Sequence, residues 1–410
     1  MGDQGLPLGR LVHFHDGSRA FSQFTYHQAW LERPKTFAVS PELGLMSGPH
    51  ICKPAGAGDA AVFFALADTS PGPWARKVIQ HAHRKACEAN PALPPLEEVQ
   101  YLSAVNDAYR TGALRFVDGS RPSWIAQSDS PPSLDDLPRA IGASWALERG
   151  SGFAADLNFL MAHGTSLGGS RPKISVRDAD GTLALAKLPR LDEPYSVPRA
   201  EVLALALAKQ AGIRVAEARI ISANDTPVAL IRRFDRTEKR GRKHYISAAS
   251  LLEASEGDAL GYLDLLHAMR RYCARFADDA RQLWRRLVFN LLITNVDDHL
   301  RNIGFLYEGK QRWRLAPALD LNPFPGKAYC SHTPLSVRAG KIVSVQMLLD
   351  HAELFELNRA QSRKALGEVA EVICGWRAVA QQMGIRKSER ELLKPAFEHD
   401  RLKEVVSHGG

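Results

Sequence analysis

The stretch Asn295-Val296-Asp297-Asp298-His299-Leu300-Arg301-Asn302 determines how the rest of this 410-residue chain is interpreted. It follows an apolar run, residues 283–293 (LWRRLVFNLLI), in which apolar side chains recur at i, i+4 and i+8. That period predicts a buried helix that leads directly into a polar loop. Within the loop, Asp297 precedes Asn302 by five positions.

The spacing Asp-x-x-x-x-Asn is that of a protein-kinase catalytic loop. In such a loop the Asp accepts the proton of the substrate hydroxyl and the Asn holds a magnesium ion. The pattern alone occurs by chance in many proteins. Its interpretation therefore depends on whether the chain supplies the other parts of an ATP site in the correct order.

Length and composition indicate a soluble, multidomain protein. A chain of 410 residues is too long for one core, and 45% hydrophobic with 24% charged residues is ordinary for globular proteins. No apolar run reaches the roughly 18 residues of a membrane span and the N-terminus lacks an apolar signal core, so we expect a cytoplasmic protein without a membrane partner. The five cysteines are scattered, which predicts reduced core thiols.

The net charge of +8 has two interpretations. A basic surface aids solubility, whereas a basic patch would serve a polyanionic partner such as ATP, tRNA or DNA. Part of the excess positive charge is concentrated in residues 232–244 (RRFDRTEKRGRKH). This run is compatible with both a solvated hairpin tip and a binding patch.

The order of predicted elements divides the chain into three regions. Residues 1–130 open with a β-hairpin and include a helix over 74–83, as in a small α/β subdomain. Residues 131–245 contain helices followed by short strands. Residues 246–410 are almost wholly helical, apart from the polar loop and a short hairpin around Glu308-Gly309.

The other parts of an ATP site occur in chain order. Small residues in 166–170 (SLGGS) let backbone N–H groups approach phosphate oxygens. Lys187 ends an alternating strand as the Lys of V-A-I-K does, and Glu201 in the next helix would pair with it. Asp320 with Asn302 would supply the hard oxygen ligands that magnesium prefers. Each has a plain structural alternative: an ordinary turn, an exposed Lys, a solvated Glu or a turn Asp.

A metal hydrolase is a competing interpretation, because Asp297, Asp298 and His299 could ligate zinc or manganese. Adjacent residues rarely converge on one ion, and no H-x-x-x-H pair is present. ATP-dependent phosphoryl transfer is therefore the preferred hypothesis. In it, Asn295, Asp298 and His299 are structural supports of the loop.

In combination, these residues resemble the HipA family of bacterial toxin kinases over most of the chain. Residues 295–302 resemble the catalytic segment N-x-D-x-H-x-K-N, and residues 315–320 (LAPALD) resemble the metal-binding L-x-P-x-Y-D. Residues 166–173 resemble the flexible loop S-L-x-G-x-x-x-K, and residues 233–236 match R-F-D-R after the interlobe strand. The implied fold is α+β: a bilobal kinase-like fold with a strand-rich N-lobe, a small N-terminal α/β subdomain and an all-helical C-lobe.

The resemblance also implies a role for individual positions. It makes Asp297 the catalytic base, Asn302 and Asp320 the magnesium ligands, and Ser166 a self-phosphorylated serine whose added charge would eject its loop and switch the enzyme off. Around ATP it implies contacts from Lys187, Gly168, Gly169, Ser170, the backbone near Arg232 and the ring of Phe234.

The implied activity is Ser/Thr phosphorylation of a target protein with ATP and Mg²⁺. The target would be a translation protein, often an aminoacyl-tRNA synthetase, and the partner a small helix-turn-helix antitoxin (HipB-like) that binds operator DNA. A catalytically weak co-repressor and a small-molecule kinase of related fold are the other hypotheses. Arg232 stands where the family often has Glu, and residues 246–250 (ISAAS) replace an acidic stretch, so nucleotide and target choice stay open.

Overall fold

A computed structural model describes residues 1–16, 19–54, 61–119, 125, 131–151, 154–164, 168–239, 241–255, 257–326 and 329–408. Its strands are β1 (Gly9–Asp16), β2 (Arg19–Tyr26), β3 (Pro49–Cys52), β4 (Lys173–Arg177), β5 (Leu183–Lys187), β6 (Ala218–Ala223), β7 (Thr226–Arg232), β8 (Tyr245–Ser247), β9 (Gly304–Gly309), β10 (Arg312–Leu315), β11 (Pro334–Ser336) and β12 (Gly340–Lys341).

The helices are α1 (Gln28–Leu31), α2 (Phe64–Ala67), α3 (Pro73–Ala89), α4 (Glu98–Ala104), α5 (Leu137–Glu148), α6 (Ala154–His163), α7 (Val197–Gln210), α8 (Ala248–Leu252), α9 (Tyr262–Tyr272), α10 (Phe276–Leu292), α11 (Val345–Asp350), α12 (Arg359–Cys374), α13 (Trp376–Gln382), α14 (Lys387–Phe397) and α15 (Asp400–His408). Within the described ranges, none of them is both long and apolar enough to span a bilayer.

The N-terminal region forms an antiparallel sheet in the order β1-β2-β3. The predicted hairpin is confirmed: the register pairs Asp16 with Arg19 across its turn. Alternate residues of β2, among them Phe24 and Tyr26, are buried and pack near Trp30. The period of two along the strand therefore gives the sheet one core face.

The central region contains an antiparallel sheet in the order β4-β5-β7-β6. Ala184 and Ala186 face a core formed with α3, α5 and α6. Because side chains alternate across a strand, Lys187 lies on the opposite face, toward α7. Helix α7 begins at Val197, after the N-cap Ser196, whose Oγ accepts a hydrogen bond from Arg199 N (3.4 Å).

The C-terminal region packs its helices around α10, whose Trp284 and Phe289 are fully buried. This helix contains the predicted run 283–293 up to Leu292. The predicted hairpin is β9–β10, and β8 pairs with β9 to make a three-stranded sheet. A two-stranded sheet, β11–β12, is also present. The C-lobe is thus mainly helical but not all-helical, because β8 satisfies its backbone polar groups by pairing with the predicted hairpin.

The cysteines differ from the prediction. All five are free thiols, as predicted, yet only Cys273 is buried in the core. Cys52 and Cys87 are half-buried, whereas Cys330 and Cys374 are exposed. Their scattered positions in the sequence showed that they were unpaired, but not which of them face the core.

The R-F-D-R segment joins the N-terminal region to the central sheet through buried charges. Asp235 accepts hydrogen bonds from Arg233 Nε (2.7 Å), Arg236 NH1 (2.8 Å) and the backbone N–H of Gly112 (2.7 Å). Arg236 in turn donates to Arg110 O (2.8 Å). Burial alone would raise the pKa of Asp235, but the two guanidinium groups outweigh it and hold that pKa below its usual range.

This arrangement corrects the binding-patch interpretation of the basic run 232–244 only in part and agrees with the hairpin tip: Arg236 pairs with Arg242 across an antiparallel bridge, and Thr237, Glu238 and Lys239 are exposed. Three of its arginines, Arg233, Arg236 and Arg242, have side chains that are nearly buried. Arg242 NH2 pairs with Asp107 Oδ2 at 3.3 Å. These three arginines therefore form an internal joint, because they meet Asp107 and backbone carbonyls of the N-terminal region, which are distant in sequence, whereas Lys239 and Lys243 are exposed.

We expect Asp235→Ala to lower the free energy of unfolding by about 3–5 kcal/mol, because it leaves two buried guanidinium groups unpaired. The Asp235 carboxylate has a depressed pKa, so its contribution to stability is present above the unfolded pKa of 3.8 and is lost as the pH falls below it. Urea denaturation at pH 7 measures the change. Glu238→Ala, at an exposed position nearby, is the control. Equal denaturation midpoints for the two variants would contradict the stabilising role of Asp235 in the joint.

Candidate nucleotide and catalytic site

The end of α10 supports the candidate catalytic loop, residues 295–302, which we call the catalytic loop. Asn290 O accepts from Asn295 N (2.8 Å), and Asn290 Oδ1 accepts from Asn295 Nδ2 (3.0 Å). Between them Thr294 has φ = 52°, a left-handed conformation that is unusual for a β-branched residue. Asn295 Oδ1 then accepts from Asp297 N at 3.4 Å. A buried helix end thus positions Asn295, and Asn295 positions the backbone of Asp297.

The two neighbouring carboxylates of the loop lie in different surroundings. The Asp298 side chain is buried and accepts from Tyr262 Oη (2.8 Å) and His332 N (2.5 Å). Burial raises the pKa of Asp298 to about 6. The side chain of Asp297 is 51% exposed. Asp298 is therefore held within the C-lobe, while Asp297 is accessible to a substrate.

Asp297, Asn302 and Asp320 line one small cavity. Its volume is about 30 Å³. Asn302 Nδ2 donates to Asp297 O (3.0 Å), which leaves the side-chain oxygen of Asn302 as the atom that could ligate a metal ion. The structure thus brings together the three oxygen donors that the sequence pattern indicated. Among the residues with described positions, no group of three His, Cys, Asp or Glu side chains has metal-binding geometry.

His299 lies beside Asp297, which lines this cavity. Its Nε2 is 3.8 Å from Asp297 Oδ1, and its buried Nδ1 has no hydrogen-bond partner in the structure. Burial lowers the pKa of His299 below its ordinary value, which favours the neutral ring. The ring lies 6.0 Å from that of His332. These contacts suit a residue that supports the loop.

Lys187 lies at the centre of a buried charge cluster. Its Nζ is 2.6 Å from Glu201 Oε1 and 2.7 Å from Asp320 Oδ1. Lys173 is the cross-strand partner of Lys187 and is also buried. We call Lys173, Lys187, Glu201 and Asp320 the charge cluster; it contains two basic and two acidic groups, and burial raises the pKa of Glu201 against the attraction of Lys187.

The pKa shifts in the charge cluster follow from burial and mutual attraction. Burial alone would raise the pKa of Asp320, but Lys187 and Lys173 outweigh it and hold that pKa below its usual range. Burial likewise opposes the charge of Lys187, but Asp320 and Glu201 raise its pKa. For Lys173, burial and the neighbouring Lys187 lower the pKa to about 8. Asp320 and Lys187 are thus charged at pH 7, and Lys173 titrates just above that pH.

Asp320 adopts a strained backbone conformation. Its φ is 56°, in the left-handed region that costs a residue with a side chain roughly 1–2 kcal/mol. Asn322 Nδ2 donates to Asp320 Oδ1 at 2.9 Å, and Asn322 Oδ1 is buried without a partner in the structure. Strain of this kind persists only where the surroundings hold it, here through Lys187 and Asn322.

Residues 168–170, which we call the glycine loop, approach the charge cluster through Lys173. Gly169 has φ = 96°, which a residue with a side chain rarely adopts. Lys173 Nζ donates to Gly168 O, and Arg190 donates to Ser170 O. These described residues place the loop beside Lys187. Ser166, the predicted site of self-phosphorylation, lies outside the described residues.

The predicted adenine residues are not brought into contact with the charge cluster. The side chain of Arg232 is exposed and pairs with Glu217 at 3.3 Å. The N–H groups of Arg232 and Arg233 donate to Glu217 O (2.8 Å) and Leu183 O (3.1 Å). An adenine at this strand end would therefore meet carbonyl oxygens or Phe234, whose ring lies 6.2 Å from that of Tyr245.

Three polar residues at the site had no role assigned from sequence: Lys173, Asn290 and Asn322. Lys173 ends the pattern S-L-x-G-x-x-x-K, and Asn290 interrupts the apolar run of α10. Both were visible signals. Asn322 follows Asp320 by two positions, where a turn residue is ordinary.

We expect Glu201→Gln to lower the free energy of unfolding by about 3 kcal/mol, because it leaves the buried charge cluster with excess positive charge. Glu217→Gln removes an exposed carboxylate that pairs with Arg232, and should change stability little. Thermal and urea denaturation of the two matched variants give the comparison. Similar losses of unfolding free energy in both variants would show that the buried Glu201 stabilises the protein no more than an exposed carboxylate does.

Comparison with known proteins places this geometry in a family. Residues 165–383, more than half of the chain, match the family model of the HipA-like C-terminal domain. HipA of Shewanella oneidensis MR-1, solved with HipB and its operator DNA, superposes with a TM-score of 0.70 at 15% identity, over 98% of this chain and 95% of that chain. This match confirms the predicted α+β, bilobal kinase-like fold.

Two further relatives are similar over parts of the chain. Y4mE of Sinorhizobium fredii, a candidate kinase by its name, is 30% identical over 201 residues, or 44% of this chain and 47% of the relative. The match thus spans about half the length of that curated relative. The kinase CtkA of Helicobacter pylori has a TM-score of 0.45 at 18% identity, over 59% of this chain and 90% of that chain. From the family match, the chain belongs to the family of proteins with a HipA-like C-terminal domain.

Proposed function

We propose that the protein is an ATP- and Mg²⁺-dependent kinase that phosphorylates Ser or Thr hydroxyl groups of a target protein. The observation that supports it most is the cavity shared by Asp297, Asn302 and Asp320, next to the Lys187–Glu201 pair. In phosphoryl transfer the protein mainly positions groups and neutralises charge. A base, two oxygen ligands and a fixed Lys are the groups needed for that.

The residues at the cavity fit a magnesium ion. Asp320 is ionised, and the amide nitrogen of Asn302 is already occupied by Asp297 O. One carboxylate and one amide oxygen are a small protein ligand set, as is usual for Mg²⁺ with nucleotide phosphates. When bound, the ion would neutralise charge on the phosphate oxygens.

The chain's own groups would divide the remaining work. Lys187, held by Glu201, would contact phosphate oxygens, and Lys173 would add a second positive charge beside Gly168 and Gly169. The Asp297 carboxylate would accept the proton of the substrate hydroxyl as its oxygen bonds to phosphorus and the bond to the leaving oxygen breaks. Asn295 would keep Asp297 in place through its backbone.

The toxin role and the partner are further parts of this proposal. The Shewanella protein of the same fold was solved with HipB and operator DNA. We therefore propose a small helix-turn-helix antitoxin, and through it operator DNA, as partners of this chain. In line with the family resemblance, we propose a translation protein, an aminoacyl-tRNA synthetase, as the target and Ser166 as the self-phosphorylated serine.

We expect Asp297→Asn to lower kcat for phosphate transfer from Mg–ATP by about 10²–10⁴-fold with folding retained, because the proton acceptor is lost. Transfer of labelled phosphate to protein, followed by phosphoamino-acid analysis, measures this. Asp350→Asn, on an exposed helix end, is the control.

Full transfer by Asp297→Asn would contradict the assigned base. Label on a small molecule alone would favour the small-molecule kinase. A wild-type protein that transfers no phosphate but binds operator DNA with its partner would favour the co-repressor hypothesis.

The pH dependence of ATP use should report Lys173. Its pKa of about 8 means that the positive charge is present below that pH and is lost above it. We therefore expect kcat/KM for ATP to decline with an apparent pKa near 8. In Lys173→Arg the charge persists to higher pH and the decline should move upward. An unchanged profile in this variant would assign the decline to another group.

A further inference from the structure

A short segment of the N-terminal region reaches both lobes of the proposed kinase site. Residues 68–74 (DTSPGPW) connect α2 to α3, and we call them the strap. Neither the charge cluster nor the catalytic loop includes any of these residues. The two ends of the strap contact different parts of the site.

The first residue of the strap contacts the C-lobe. Asp68 Oδ2 accepts a hydrogen bond from the backbone N–H of Ser247 at 2.6 Å. Ser247 is the N-cap of α8, where its Oγ accepts from Ser250 N at 3.1 Å. Helix α8 packs against residues 300–302, the end of the catalytic loop that contains Asn302. Asp68 is thus one helix away from a proposed metal ligand.

The last residues of the strap contact the glycine loop. Trp74 N donates to Gly169 O at 3.3 Å. Gly72 lies so close to the loop that a Cβ added there would be 2.5 Å from Gly169 N and 2.6 Å from Gly168 Cα. Both of these atoms belong to the backbone, so no side-chain rotation could relieve the clash. Only glycine at position 72 permits this approach.

The second residue of the strap, Thr69, is held by the joint described above. Arg110 is fully buried, and its NH1 donates to Thr69 O at 3.3 Å. Arg110 also donates to Leu102 O (3.0 Å) and Val105 O (2.8 Å), while its own carbonyl accepts from Arg236. The strap is therefore fixed at both ends, at Asp68 and Thr69 on one side and at Gly72 and Trp74 on the other.

We propose that the strap sets the separation between the glycine loop and the catalytic loop, with Gly72 and Asp68 as positioning residues for phosphoryl transfer. This inference rests on the proposed kinase function. A displacement of about 1 Å between reacting groups can cost on the order of 10²-fold in rate. A small change in the position of this seven-residue segment would therefore lower the rate of phosphoryl transfer strongly. It also gives the N-terminal region a role in the reaction, since this region supplies the strap.

The two ends of the strap should have separable kinetic effects. Gly72→Ala should raise KM for ATP by about tenfold or more, because it displaces the loop beside Lys187 and Lys173. Asp68→Ala should lower kcat while KM for ATP changes little, because it releases α8 from the strap. A merely destabilising change would lower activity in proportion to the unfolded fraction and leave KM for ATP unchanged.

The experiment compares wild type, Gly72→Ala, Asp68→Ala and the control Gly142→Ala in the full chain. Gly142 lies on the exposed side of α5, where an added Cβ meets no atom within 4 Å. ATP kinetics are measured for all four. Hydrogen exchange of the ATP-free proteins is followed over residues 168–173 and over α8. The exchange arm does not depend on any kinase activity.

The proposal predicts faster exchange over residues 168–173 in Gly72→Ala, faster exchange over α8 in Asp68→Ala, and the KM and kcat changes above, with Gly142→Ala like wild type. Unchanged exchange in both strap variants would overturn it. Faster exchange with unaltered kinetics in an active enzyme would overturn the positioning role. If Gly72→Ala fails to fold, Asp68→Ala decides by the same criteria. A wild type that neither binds nor uses ATP would overturn the kinase function, and with it the role of the strap in the reaction.

Discussion

The buried ion pair between Lys187 and Asp320 is the interaction on which the rest of the site depends. Its two residues come from different lobes, 133 positions apart, and meet at 2.7 Å. Isolated buried charges are costly, so the charges of Lys187 and Asp320 stabilise each other, and Glu201 and Lys173 beside them complete the charge cluster. The strand β5, the helix α7 and the strained turn at Asp320 are all constrained to bring these groups together.

A second set of constraints holds the catalytic loop. The apolar faces of α10 bury its end in the C-lobe, and Asn290 there binds Asn295 through both backbone and side chain. Asp298 is held by Tyr262 and by the backbone near β11. The loop is therefore held in place by the end of α10 and by the hydrogen bonds of Asp298. The accessible carboxylate that remains is Asp297, which is why geometry and spacing favour the same residue as the base.

The parts of the site that depend on local pattern could be predicted from sequence. The strand ending at Lys187, the helix with Glu201 and the spacing from Asp297 to Asn302 are set by residues near one another in the chain, and the kinase-like fold followed from their order. Contacts between distant residues could not be predicted. Three arginines of the basic run after β7 pair with Asp107 or with carbonyls more than 100 positions away, so composition suggested a surface at positions that form an internal joint. The position of the Arg232 side chain and the close approach of Gly72 to the glycine loop also depend on tertiary packing, so the sequence did not predict them.

The most direct test of this account is a crystal structure of the protein with Mg²⁺ and a non-hydrolysable ATP analogue. The account predicts a metal ion about 2.1 Å from oxygens of Asp320 and Asn302, with Lys187 on phosphate oxygens and Asp297 facing the terminal phosphate. Nucleotide bound elsewhere, or a metal ion held without Asp320, would contradict it.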